Sequence, residues 1–414
     1  MHLFHFYADL LRVLSKGTYN GDAGRTIGMA YAEFIKDSVR TNKPYDQLVR
    51  ELVSAQGVVW KNGAVGYYQR DRGMPLENLA TTMRVFSGTR IECAQCHNHP
   101  FDKWTQMQFH QMAAYTYGVQ TTMGIYSPAF TGMLMMQKER REKNGTSMND
   151  EIHLRQAFNE MIAPIKHAWV SHTPQQLRLP HDYQYDDAKP KSVVKAATLM
   201  GVPAEYDLKG RPLESFAAWL TAPDHSRFTT VIANRLWRKL FGVGLIEPAD
   251  EIMDSTGASN PALMEHLRRL MIALRYDVKA FLRVLCHTQA YQREVTRAEL
   301  ALGETCHFTG PLLRRMTPEQ MWDSLATLIH TAPDLPNVPL REAADTFLAN
   351  TRKLGAALEN LTPAELLQRA DITSEVFRTN AAQFKVLQQG IAEARSREDK
   401  AAVAELAGQL GHSG

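Results

Sequence analysis

The sequence predicts a mainly α-helical protein: two helical domains joined by an irregular linker, with few strands. Three observations predict it. Apolar residues recur at three- and four-residue spacing along most of the chain. Helix-start signals stand at Asn260-Pro261, Thr317-Pro318 and Thr362-Pro363. The stretch 171–212, rich in Pro, His, Asp and Lys, interrupts the periodicity. These give domains over 1–170 and 213–335, a linker over 171–212, and an exposed helical tail over 336–414.

The elements follow in order. Leu3, Phe6, Leu10 and Leu14 sit near helical spacing from the first residues onward. That helix has no start signal of its own, which leads us to expect a natural chain beginning further upstream. Residues 24–41 carry Ile27, Tyr31, Phe34, Ile35, Ser38 and Val39 as one stripe, and Pro44 stops that helix. Tyr45 to Ala55 places Leu48, Val49, Leu52 and Val53 on one face, with Gly57 as the expected C-cap. Leu76 to Gly88 and Thr105 to Tyr117 read as two further helices. Over 118–150 the periodicity fails, and the charged run Gln137 to Lys143 reads as a solvated loop. Ile152 to Val170 fits strand or helix. Helical spacing returns at Leu213. Trp219, Phe228, Ile232, Trp237, Leu240 and Phe241 form the expected core stripe, closed by Gly242. Thr317 and Thr362 each precede Pro and then Glu or Gln, the pattern of a capping box. Residues 363–410 read as exposed helices, a hairpin broken at Gly390.

Composition excludes several classes. The chain has 414 residues, and 47 basic against 44 acidic residues leave a net charge of +3. That balance provides no electrostatic footprint for nucleic acid or an anionic membrane. No apolar run reaches the roughly 18 residues a membrane span needs. The first residues lack the basic and apolar regions of a signal peptide. No P-loop, Gly-x-Ser-x-Gly elbow or His-Glu-x-x-His motif occurs.

The most informative segment is Cys93-Ala-Gln-Cys96-His97-Asn98-His99. Cys-x-x-Cys-His is the attachment pattern of c-type haem. Two intervening residues let Cys93 and Cys96 meet the two vinyl groups on one edge of the ring, while His97 reaches the iron as axial ligand. Met107, His110 and Met112 are the nearest candidates for a second axial ligand. The alternative is a zinc or iron site in which His97 and His99 join Cys93 and Cys96. The plain alternative is two reduced cysteines beside a surface histidine. Cysteine is otherwise scarce, four in the whole chain, so two at this spacing beside a His carry weight. Cys286 and Cys306 read as buried thiols or a disulfide. His181, Asp182, Asp186 and Asp187 form an acidic cluster that suits a hard cation, though a solvated loop explains it more simply.

The motifs converge on a family. The first half resembles the planctomycete-type cytochrome-associated domain of unknown function, through residues 42–52 (Asn-Lys-Pro-Tyr-Asp-Gln-Leu-Val-Arg-Glu-Leu) and the run from Cys93 to Gln106. The second half resembles the domain of unknown function that commonly follows it. The matching residues there are Trp219 to Asp224, Asn234 to Trp237, Phe241-Gly242, Ala290 to Gln292 and Arg314 to Asp323. The resemblance covers most of residues 7–330. It implies an exported, periplasmic setting in planctomycetes or related bacteria, an export signal and often a cytochrome-like module upstream, and a tail running on past residue 414. It supplies no activity. Two functions therefore stand at this point. One is a redox protein with covalent haem c and a redox partner protein. The other is a non-catalytic binding or assembly module with a structural Cys/His metal.

Overall fold

The computed structural model describes residues 2–13, 22–121, 128–144, 162–173, 175–199, 211–297, 308–329 and 339–397, with isolated positions at 152, 156, 159, 399, 401–403, 405 and 406. Helices dominate. They are α1 (His2–Leu10), α2 (Asp22–Arg40), α3 (Tyr45–Val53), α4 (Gly66–Gln69), α5 (Pro75–Ser87), α6 (Gln106–Ala113), α7 (Pro128–Asn144), α8 (Pro212–Leu220), α9 (Ser226–Phe241), α10 (Pro261–Ala273), α11 (Val278–Cys286), α12 (Pro318–Ile329), α13 (Pro339–Asn360) and α14 (Pro363–Ser396). One small antiparallel sheet places β3 (Trp169–His172) between β1 (Gly57–Val58) and β2 (Val119–Gln120), pairing Gly57 with Val170 and Val119 with His172. Among the described residues, no helix is long and apolar enough to cross a membrane.

The chain forms two compact units: residues 1–20, 24–123 and 167–348, and residues 21–23, 124–166 and 349–414. These differ from the domains read from the sequence. The helices expected in separate domains on either side of 171–212 bury their stripes in one core, so burial joins what the irregular stretch suggested was divided.

In the first unit, α9 is the central helix. Phe228, Val231, Ile232, Leu236, Trp237 and Phe241 are buried along it, while Leu240 is only half-buried at the edge of the expected stripe. Tyr45 on α3 stacks between Tyr7 on α1 and Phe228 on α9, with ring centroids 6.1 and 5.4 Å away. Asn234 holds the loop after α9: its Oδ1 accepts from Leu245 and Ile246 N–H at 2.8 and 3.1 Å, and its Nδ2 donates to the Ile246 carbonyl at 2.7 Å. Arg235, half-buried beside these helices, donates to the Val85 and Arg84 carbonyls at the C-terminal end of α5. Those carbonyls have no partner within their helix, and the guanidinium supplies one.

Helix ends agree with the sequence signals at most positions. Asn260 accepts from Leu263 N–H at 3.0 Å, and Thr317 and Gln320 cap each other reciprocally, as do Thr362 and Glu365. Four expectations differ. The helix expected over Thr105 to Tyr117 ends at Ala113. Helix α3 ends at Ser54, and Gly57 stands beyond it as the first residue of β1. The charged run 137–143 is the exposed end of α7. Helix α14 runs through Gly390 without a break, since one glycine costs only about 1 kcal/mol in a long helix.

In the second unit, α7 lies along the first turns of α14. A Cβ on Gly132 would meet Pro363 at 2.6 Å, and Arg140 pairs with Asp371 at 2.7 Å. Eight residues separate each pair of anchors on both helices, so the two run in the same direction there.

Candidate functional site

The Cys-x-x-Cys-His segment follows α5 by way of Gly88, which takes the left-handed conformation at φ 58°. Ile252 N–H donates to the Gly88 carbonyl at 2.7 Å, and a Cβ on Gly88 would strike Val231 at 2.7 Å. Glycine is therefore required there by conformation and by space. The chain then turns through Ile91, which is buried, into a 3-10 turn over Glu92–Gln95.

Cys93 lies within this turn, and Cys96 is the residue that closes it. Both are free thiols and both are exposed, whereas Ala94 between them is fully buried and anchors the turn to the core. The Cys93 carbonyl accepts from the N–H groups of Cys96 and His97, each at 3.3 Å, so the second cysteine and the histidine are held by the first.

The two histidines differ in their hydrogen bonds. His97 Nδ1 lies 2.7 Å from the carbonyl oxygen of Asn98. A carbonyl only accepts, so Nδ1 must carry the proton and donate. In the neutral ring Nε2 then keeps its lone pair for a metal, the usual arrangement of a ligating histidine. His99 is the reverse. Its Nδ1 accepts from Phe101 N–H at 3.2 Å, so its neutral ring carries the proton on Nε2. Ligation through His99 Nε2 would sacrifice that hydrogen bond.

The loop after His97 is pinned from three directions. Asn98 N–H donates to the Tyr185 hydroxyl at 2.7 Å. Asn98 Oδ1 accepts from Gln106 N–H at 2.8 Å, and Gln106 Nε2 donates to the Gln95 carbonyl at 3.2 Å. His99 N–H donates to the Trp104 carbonyl at 2.8 Å. Trp104 is buried beneath two cations, with Lys103 Nζ 5.1 Å and the Arg227 guanidinium 5.8 Å from its ring. Both cations also pair with Asp254, at 2.5 and 3.3 Å. Sequence reading missed Asn98, Tyr185, Gln106 and Arg227 as supports of the motif. Asn98 and Gln106 lie inside the quoted segment, whereas nothing local marks Tyr185 or Arg227, which arrive from distant parts of the chain.

The other candidates fall elsewhere. Met112 and His110 are buried on α6, where burial lowers the pKa of His110 from its ordinary value, and Met107 packs against Leu179, Tyr183 and Val194. Asp187 accepts from Tyr183 Oη at 2.5 Å, and His181 and Asp182 are exposed at 3.9 Å from each other. Among the described residues, no three His, Cys, Asp or Glu side chains gather as a metal-holding group, in the motif or in the acidic cluster. Cys286 is a half-buried free thiol on α11, and Cys306 lies outside the described residues.

Residues 1–121 match the family model PSCyt2, described as a protein of unknown function (DUF1549). Residues 213–356 match the model PSD1, described as a protein of unknown function (DUF1553). No curated protein and no solved structure matches the chain.

Proposed function

From a chain that joins the planctomycete cytochrome-associated domain to its partner domain of unknown function, we propose a redox protein that carries c-type haem covalently at Cys93 and Cys96, with His97 as axial ligand. It passes electrons to or from a redox partner protein in the periplasm or another exported setting. The observation that carries the reading is the 2.7 Å contact of His97 Nδ1 with the Asn98 carbonyl, which leaves the Nε2 lone pair available to a metal, next in sequence to two free, exposed cysteines.

The donor set fits the group. Cys93 and Cys96 would hold the group through two thioether links, which form from thiol and vinyl with no leaving group and no oxidant, and His97 would ligate its iron. Both thiols are exposed, and Ala94 between them is held in the core. When bound, haem supplies a one-electron couple. The chain's own residues hold and orient: Cys93 and Cys96 fix one edge, and Asn98 sets the His97 tautomer. Tyr185 and Gln106 keep Asn98 in place. A Cys/His site for zinc or iron is less well supported, because His99 Nδ1 is already an acceptor for Phe101 N–H.

Expression with the c-type maturation machinery, followed by a pyridine haemochrome assay, tests the reading. Covalent haem is expected in the parent and in His99→Ala, and none in Cys93→Ser with Cys96→Ser. A parent that carries no haem but holds stoichiometric zinc or iron, lost in His99→Ala, overturns it.

A further inference from the structure

Among the described residues, a cavity of about 520 Å3 lies at the N-terminal end of α5, beside β2. Its walls include Glu77, Gln95, Tyr117, Gln120, Thr121 and Gln175. Its size falls within the range of about 300–1,000 Å3 for small-molecule sites. Gln95 stands between the two cysteines in sequence but two positions on from Cys93. Neither cysteine lines the cavity, so it is separate from the thiols.

The chemistry of the walls is specific. Gln95, Gln120 and Gln175 line the space, and none of their side-chain amides makes a hydrogen bond to another described protein group. Each offers a carbonyl acceptor and two N–H donors. Glu77 adds an acceptor-only carboxylate with no ion-pair partner among the described residues, and Tyr117 adds an aromatic ring. Thr121 is already engaged, its hydroxyl accepting from Gly73 N–H at 2.9 Å. No Lys, Arg or His lines the cavity among the described residues.

We propose that this cavity binds a neutral carbohydrate unit. An anionic ligand would meet Glu77 with no cation to offset it. A cation would find one carboxylate and no second charge. A sugar carries hydroxyls that both donate and accept, which glutamine amides satisfy, and two neighbouring hydroxyls can share one carboxylate. Its apolar C–H face suits the ring of Tyr117. A peptide added to the sheet edge is disfavoured, because β2 is two residues long and offers too short a ladder. This site is independent of the haem reading.

Saturation-transfer NMR on the full chain, with cellobiose, maltose and lactose as probes, tests the proposal. Transfer to at least one sugar is expected, with affinity about tenfold weaker in Gln120→Ala and in Glu77→Gln, the loss of roughly one well-made hydrogen bond. Binding should be unchanged in Cys93→Ser with Cys96→Ser, which separates this site from the thiols. No transfer from any of the three sugars overturns the proposal. So does transfer that both cavity variants leave intact, or transfer from a hexa-alanine peptide alone.

Discussion

Asn98 Oδ1 accepts the main-chain N–H of Gln106 at 2.8 Å, tying the loop after His97 to the first residue of α6. The N–H groups of a helix's first turn lack partners within the helix, so this side chain works beside Thr105, which caps the same helix through Gln108 N–H. Asn98→Ala should cost about 1–2 kcal/mol in urea unfolding. Asn98→Asp, which keeps the acceptor, should recover most of it. Equal losses in the two variants would show that this oxygen does not hold the loop.

The two histidines should show opposite tautomers. In long-range 15N spectra of the neutral rings, His97 should carry its proton on Nδ1 and His99 on Nε2, as their partners require. Asn98→Ala leaves the carbonyl in place but frees the loop, so it should erode the His97 preference. A His99 ring protonated on Nδ1 would contradict the geometry.

Trp237→Ala should destabilise the protein by about 3 kcal/mol, near the lower end of the range for a buried aromatic. Trp237 is 4% exposed and stacks on Phe241 at 3.8 Å. Among the described residues its buried indole N–H has no partner, so removing it relieves part of the loss. A change below about 0.5 kcal/mol would place this ring at the surface.

His225 predicts an acid-labile fold. Burial pushes its pKa down to about 4, and its Nδ1 accepts from Phe228 N–H at 3.1 Å to cap α9. The unfolded chain takes up the proton near 6.5, before the folded one does. Stability is therefore full above about pH 6.5 and is lost as pH falls toward 4, by up to about 3 kcal/mol. His225→Asn keeps a capping oxygen and removes the titration, so its unfolding free energy should fall less over that window. Parallel pH profiles for the two proteins would refute this role.

Much of the fold is legible in the sequence wherever one helix face suffices. The stripe from Phe228 to Phe241 and the caps at Asn260, Thr317 and Thr362 depend on neighbours three or four residues away. The sheet is not legible, because β3 meets Gly57 and Val119 across long sequence separations, and two-residue strands carry no alternation to read. The units were missed for a related reason: an irregular stretch was read as a boundary, while the helices flanking it share one core. At the site, spacing marks Cys93, Cys96 and His97 and puts His97 ahead of His99, but it carries no sign of the two rings' tautomers. That distinction rests on which ring nitrogen meets a carbonyl and which meets an N–H.

The most direct measurement of the central claim is the mass of the intact, denatured chain after expression with c-type haem maturation machinery. The account predicts a species heavier by one haem, retained through denaturation because both links are covalent, and absent when Cys93 and Cys96 are both replaced by Ser. A chain of unmodified mass, from cells that attach haem to a control cytochrome, would contradict it.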